Sequence, residues 1–190
     1  MTEDWLRRSI MPRRAVANGA TGTTHSLTIE QQGSFHYVYG PYAKPTLSID
    51  PGGVVVVETE DAFGGVLTSE SDSPTAKLNF PYLNPQCGPI AVKGARKGDC
   101  LAVYIRDVET RGAQPAGTTC IIPEFGGLVG TASTALLNPP LPERVKKLHV
   151  DRNGVRWNDK ITLPYEPFIG TIGVSPEIEA ISSLQPDRSE

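Results

Sequence analysis

No apolar run in this 190-residue sequence approaches the roughly 18 residues that a membrane-spanning helix requires. The opening stretch MTEDWLRRSIMPRR also lacks the apolar centre of a signal peptide. The expectation is a cytoplasmic protein with no membrane partner. A basic face is missing as well: 18 Lys and Arg stand against 21 Asp and Glu, and they cluster no further than pairs such as Arg13-Arg14 and Lys146-Lys147. Nucleic acid is therefore a poor partner. Cysteine is scarce, with Cys87, Cys100 and Cys120 in no CxxC spacing, which argues against a disulfide framework and a thiolate metal knuckle. His25, His36 and His149 form neither HxH nor HExxH, so a self-contained zinc-hydrolase site is absent. The chain holds no GxGxxG fingerprint, no GxSxG elbow and no loop ending in GK[ST], which removes the common dinucleotide, serine-hydrolase and phosphate sites.

What is abundant is punctuation. Nineteen Gly and 17 Pro cut the chain into short pieces and favour strands over long helices. Residues 1–22 show no clear period and read as an N-terminal arm; residues 23–190 read as one β-rich domain. THSLTIE and SFHYVYG alternate as half-buried strands do. After the turn Asp50-Pro51-Gly52-Gly53, the run Val54–Val57 has no polar face, the pattern of a central strand covered on both sides. CLAVYIRD, residues 100–107, alternates again. Asn153-Gly154 between apolar pairs predicts a hairpin, FIGTIGV (168–174) a last strand, and Ser175-Pro176-Glu177 the start of a short helix. DPGGVVVVETED and RKGDCLAVYIRD repeat one plan, a glycine turn, a strand and an acid, which fits two units packed as neighbours and equally fits ordinary β punctuation. The class is mainly β, a sandwich or open barrel with few short helices.

Chemistry points first to ETEDAFGG, residues 58–65, where Glu58, Glu60 and Asp61 meet Gly64-Gly65 at the end of a hydrophobic strand. Carboxylates beside glycines that admit close approach suit a base or a metal ligand; a solvated strand end is the competing reading. In extended geometry Glu58 and Glu60 point one way and Asp61 the other, and Asp61 lies nearest the glycines. The loop LNPQCGPIAVKGARKGD, residues 83–99, offers Asn84 as an amide that orients a carbonyl, or simple turn chemistry. It also offers Cys87 as a nucleophile, although no neighbouring base or cation activates the thiol. PEFGGLVGT (123–131) holds Gly126 and Gly127 in a loop suited to lining a pocket. Phe35, Tyr37, Phe63 and Phe125 fit a pocket wall or plain core packing. His25 is the freest of the histidines.

The ordered blocks KPTLSIDPGGVVVVETEDAFGG, NPQCGPIAVKGARKGDCLAVYI, PEFGGL and PYEPFIGTIGVSPE resemble the acetamidase/formamidase family from His25 onward. The resemblance implies a mainly β fold corresponding to the family's N-terminal portion, an oligomer, and hydrolysis of a small carboxamide to carboxylate and ammonia. It carries Asp61 over as catalytic base or metal ligand, Asn84 as a catalytic residue and His25 as a second metal ligand. Phe63, Gly64, Gly65, Gly126 and Gly127 are the candidate substrate-binding residues, and the cofactor is a divalent metal such as zinc. In the family the equivalent of SSLQPDRSE runs on into a GGNMD-like and then a GDxHAxQGDGE-like block, which this sequence lacks. The resemblance therefore implies a second chain carrying that half: a split enzyme, a cleaved one, or a degenerate relative. A noncatalytic β-rich subunit organising an oligomer and a hydrolase of a lactam or ureide are the alternatives.

Overall fold

The computed structural model describes residues 22–112, 116–123, 125, 141–177 and 181–182. It is built of short strands: β1 (Thr24–Leu27), β2 (Val38–Tyr39), β3 (Leu47–Ile49), β4 (Val54–Val57), β5 (Ile90–Val92), β6 (Ala116–Ile121), β7 (Arg144–Asp151), β8 (Gly154–Arg156), β9 (Thr162–Leu163) and β10 (Ile181–Ser182). Two four-residue helices, α1 (Ile29–Gln32) and α2 (Pro74–Lys77), interrupt them. The mainly β expectation holds, and no sheet among the described residues closes into a barrel. β1 pairs with β4 and β3 with β5, both in parallel, β10 with β2 antiparallel, and β6-β7-β8-β9 form an antiparallel sheet. No helix among the described residues is long and apolar enough to cross a membrane.

Each departure from the alternation pattern has a physical reason. THSLTIE begins as β1 but turns helical at Ile29, because Thr28 and Gln31 form a reciprocal capping box that gives two orphan N–H groups partners. SFHYVYG keeps only β2 and a single bridge, His36 to Gln86. The Val54–Val57 strand is not covered on both sides, since Val56 is 59% exposed, and β1 is its one sheet neighbour among the described residues. Residues 101–107 and 168–174 belong to no sheet among the described residues, and the second run bends at Gly170; alternation alone does not make a strand when no ladder partner is present. Ser175–Glu177 is not helical, and residues 178–180 lie outside the described residues, as does the arm as far as residue 21.

The Asn-Gly hairpin forms, with a shifted turn. Asp151 pairs with Gly154, so Arg152 and Asn153 make the loop and Gly154 alone takes positive φ, at 142°. A Cβ on Gly154 would stand 2.4 Å from the Leu163 carbonyl, so close approach of β9 also demands glycine there.

The core is Leu67, Leu78, Leu83, Ile122 and Val145, with Phe63 and Cys120 packed against it. Glu143 ties α2 to the β7 end of this core by accepting from Ser73 Oγ (2.6 Å), Thr75 N (3.0 Å) and Thr75 Oγ1 (2.8 Å). Asp72 closes the preceding turn, accepting from Thr68 N at 2.7 Å and Ser69 N at 2.9 Å and pairing with Lys77 at 2.8 Å. The hydrogen bond from Lys77 leads the effects that pull its pKa down to about 2.

Gln32 is the buried polar residue of the described chain, 6% exposed. Its Nε2 donates to the carbonyls of Gly88 (3.0 Å) and Ser34 (2.8 Å), and its Oε1 accepts from Gly88 N (2.8 Å). Gln32→Leu strands the Gly88 N–H and leaves the Gly88 carbonyl to Thr46 Oγ1 alone, and should lower stability by about 1–3 kcal/mol, read from urea unfolding. For Asp72 the folded pKa lies below the ordinary value, so its contribution is present above about pH 4 and lost as pH falls towards 2. The melting temperature of Asp72→Asn should therefore lie below that of the unmodified chain at pH 6, and the gap should close between pH 4 and 2.

Candidate active site

Glu58, Glu60 and Asp61 follow directly from β4, and each carboxylate has separate work. Glu58 continues the β1–β4 ladder through its N–H to Leu27 O (2.9 Å), and its Oε2 accepts from Ile29 N at 3.0 Å. It thereby caps the first turn of α1, where a negative charge is favoured. Glu60 accepts from Asp61 N through Oε1 (3.0 Å) and from Arg111 Nη2 through Oε2 (2.7 Å). Asp61 curls back over its own loop: Oδ1 accepts from Phe63 N (2.8 Å) and Gly65 N (2.9 Å), while its carbonyl accepts from Gly64 N (3.0 Å). Three successive N–H groups are thus turned inward onto Asp61, and Oδ2 has no hydrogen bond to a described residue.

Gly64 and Gly65 take φ of 68° and 72°, conformations that glycine adopts without penalty. Gly65 has a second constraint: a Cβ there would lie 3.2 Å from the Glu60 carboxyl carbon. Two carboxylates therefore bracket one glycine, Glu60 against its α-carbon and Asp61 against its N–H. Phe63 leans the other way into the core, so its ring anchors the loop.

Asn84 is brought to this loop by a contact that its sequence position does not announce. Its N–H donates to Ala62 O at 2.8 Å, and it holds φ at 56°, the one positive value at a non-glycine residue among those described. Asp61 and Asn84 therefore sit on two joined loops. Cys87 donates to Glu58 O at 3.3 Å, and burial pushes its thiol pKa up, the reverse of what a nucleophile requires. Burial, then the charge of Asp61, raises the Cys120 thiol likewise. Sequence reading passed over Arg111 and Cys120 because neither lies in a recognisable motif; only the fold sets them beside the acids.

The remaining candidates are dispersed. His25 lies in the middle of β1 opposite Val55, upstream of the strand end that carries the acids. His36 is held by backbone pairing with Gln86 (3.1 and 2.7 Å), and His149 is exposed, 3.2 Å from Asp151. Phe125 is 55% exposed and meets Phe80 with ring centroids 5.5 Å apart; Gly126 and Gly127 lie outside the described residues. No three His, Cys, Asp or Glu side chains among the described residues converge on a point that could hold a metal. Asp61 and His25 would need further ligands from outside the described residues to hold an ion.

Short open sheets and an acid-and-glycine loop define a mainly β molecule, and solved acetamidase structures share its fold. The crystal structure of an acetamidase from Yersinia enterocolitica superposes with a TM-score of 0.81 and 52% sequence identity, over 97% of this chain and 56% of that one. An acetamidase from Bacillus halodurans gives a TM-score of 0.69 at 28% identity, over 83% of this chain and 48% of that one. A Schizosaccharomyces pombe protein named as a formamidase is 31% identical over 157 residues, 80% of this chain and 37% of that protein. The acetamidase/formamidase family model matches residues 23–189, and the chain belongs to that family. It spans about half the length of the solved relatives and less of the yeast protein.

The loop geometry separates its two glycines. Gly64→Ala meets no atom within 4 Å and should cost only the conformational penalty, about 1 kcal/mol. Gly65→Ala must also displace Glu60 and should cost about 1–2 kcal/mol more. Paired urea titrations of the two variants give the comparison.

Proposed function

We propose that this chain forms part of an amide hydrolase cleaving the C–N bond of a small carboxamide, with a second chain of the family's remaining sequence completing the enzyme. The observation that carries this is the 52% identity to an acetamidase over 97% of the chain. The Asp61 loop supplies the chemistry. Oδ1 is fixed by the N–H groups of Phe63 and Gly65, which orients the carboxylate, and Oδ2 serves as the general base. It takes a proton from water as the water oxygen attacks the amide carbonyl. That proton passes to the departing nitrogen, the C–N bond breaks, and the carboxylic acid leaves with ammonia, the acid then giving its own proton to form carboxylate and ammonium.

Asn84 is the group proposed to orient the carbonyl, since its backbone tie to Ala62 keeps it beside the Asp61 loop. The N–H groups of Phe63, Gly64 and Gly65 are engaged by Asp61, so donors to the developing oxyanion come from elsewhere. Gly64, whose α-carbon faces open space, instead lets substrate approach closely, while Gly65 gives its α-carbon side to Glu60. A zinc or other divalent ion would take most of its ligands from outside the described residues. An oligomeric, cytoplasmic enzyme is the setting proposed.

The noncatalytic reading has one observation in its favour, that no three potential metal ligands converge among the described residues, and the same experiment separates the two. The native assembly should release ammonia from acetamide or formamide. Asp61→Asn keeps an oxygen that can accept from Phe63 and Gly65 but loses the base, so turnover should fall by roughly 10²–10⁴-fold with the melting temperature unchanged. Asp61→Ala should lose both activity and loop stability. An Asp61→Asn enzyme as fast as the parent would end the assignment, and an assembly inert to every amide, lactam and ureide would favour the organising subunit.

A further inference from the structure

The turns before Val54 and before Leu101 are the same device. Gly53 N donates to Asp50 O and Asp99 N to Arg96 O, each at 3.0 Å, with Gly52 at φ 79° and Gly98 at φ 93° in the third turn position. The first turn launches β4, which finds β1. The second launches residues 101–107, which carry the same alternation and find no ladder partner among the described residues. Residues 168–174 are in the same condition.

Side chains nevertheless hold the two strings in place. Lys97 pairs with Glu177 at one end, and Tyr165 Oη donates to Val108 O at 2.7 Å at the other. Arg152 adds ion pairs with Asp107 (2.6 Å) and Glu109 and stands 5.7 Å over the Tyr165 ring. Contacts 97 to 177 and 108 to 165 set the strings alongside one another and antiparallel, with no backbone hydrogen bond joining them. Their apolar side chains face water: Val103 is 58%, Tyr104 75%, Ile105 50%, Phe168 82%, Ile172 57% and Val174 71% exposed. Each seven-residue string would span roughly 23 Å, the length of an ordinary strand.

Apolar segments tethered near their ends and lacking a ladder partner are acceptors for strand addition when a partner draws them out. The occupant is indicated by the superposition, in which 97% of this chain accounts for only 56% of the Yersinia enterocolitica acetamidase. We infer that residues 101–107 and 168–174 are two latent strands that dock the remaining part of the family polypeptide by backbone pairing, burying their apolar side chains beneath it. The inference rests on the family membership of the chain and on the partner proposed above, and it is independent of which bond the enzyme cleaves.

The test is co-expression of this chain with the part of the Y. enterocolitica acetamidase outside the match, followed by co-purification and amide hydrogen exchange. A one-to-one complex in which amides of 101–107 and 168–174 exchange at least 10-fold more slowly than in the chain alone is expected. Val103→Lys and Ile172→Lys place charges on side chains that are solvent-exposed in the chain alone, so its melting temperature should hold while complex formation weakens at least 10-fold. A complex without protection at these strings, one indifferent to both variants, no complex at all, or a homodimer that protects the same amides would each overturn the inference. A protected complex that hydrolyses no amide would leave it standing and bring down the amidase reading instead.

Discussion

The arrangement of the short sheets depends on how the loop Asn84–Pro89 is held, and above all on Gln32. One carboxamide satisfies both polar groups of the Gly88 backbone inside the fold, where an unpaired amide is expensive. That contact sets α1, and with it the β1–β4 pair, against the lead-in to β5 and hence the β3–β5 pair. Around it Thr46 donates to Gly88 O and Pro89 O, Tyr39 Oη to Gln86 Oε1, and Cys87 Sγ to Glu58 O. The sheets themselves are two strands wide at this end of the molecule, too narrow to be stable alone. Their cohesion is carried by this loop.

The candidate site is a by-product of that stitching. Asn84 N donates to Ala62 O, so whatever fixes the 84–89 loop also fixes the loop of Asp61. From the other side Phe63 is pinned in the leucine core, and Lys147 reaches Leu67 O and Thr118 Oγ1. The acids are therefore placed by long-range packing at the junction of two sheet systems, while their fine orientation is local and belongs to the glycines.

How much of this was legible in the sequence depends on the range of the interaction. Turns read well: Asp50–Gly53, the Asn153-Gly154 hairpin and the punctuated loop before Ile90 are local chemistry written in Gly, Pro and Asn. The capping box of Thr28 and Gln31 was also legible and was overlooked in favour of alternation. Residues 101–107 and 168–174 read as strands because their alternation is real; a strand requires a neighbour, and sequence pattern cannot say whether one is present. Asp61 was recognisable from its glycines, but its junction with Asn84, the Arg111 contact of Glu60 and the nearness of Cys120 come from residues far apart in sequence with no motif to link them. His25 was carried over on resemblance, and β1 sets it opposite Val55, three residues ahead of Glu58.

Arg152 gives the hairpin a role beyond closing a sheet. By pairing with Asp107 and Glu109 and standing over the ring of Tyr165 from one turn, it ties the end of one unpaired string to the approach of the other before anything is bound to them. Part of the conformational entropy of ordering that side is thus lost when the chain folds rather than when the complex forms, which lowers one of the costs that oppose association. Because these ion pairs are exposed and open to screening, raised salt loosens the template, and the order of the docking face becomes a function of ionic strength.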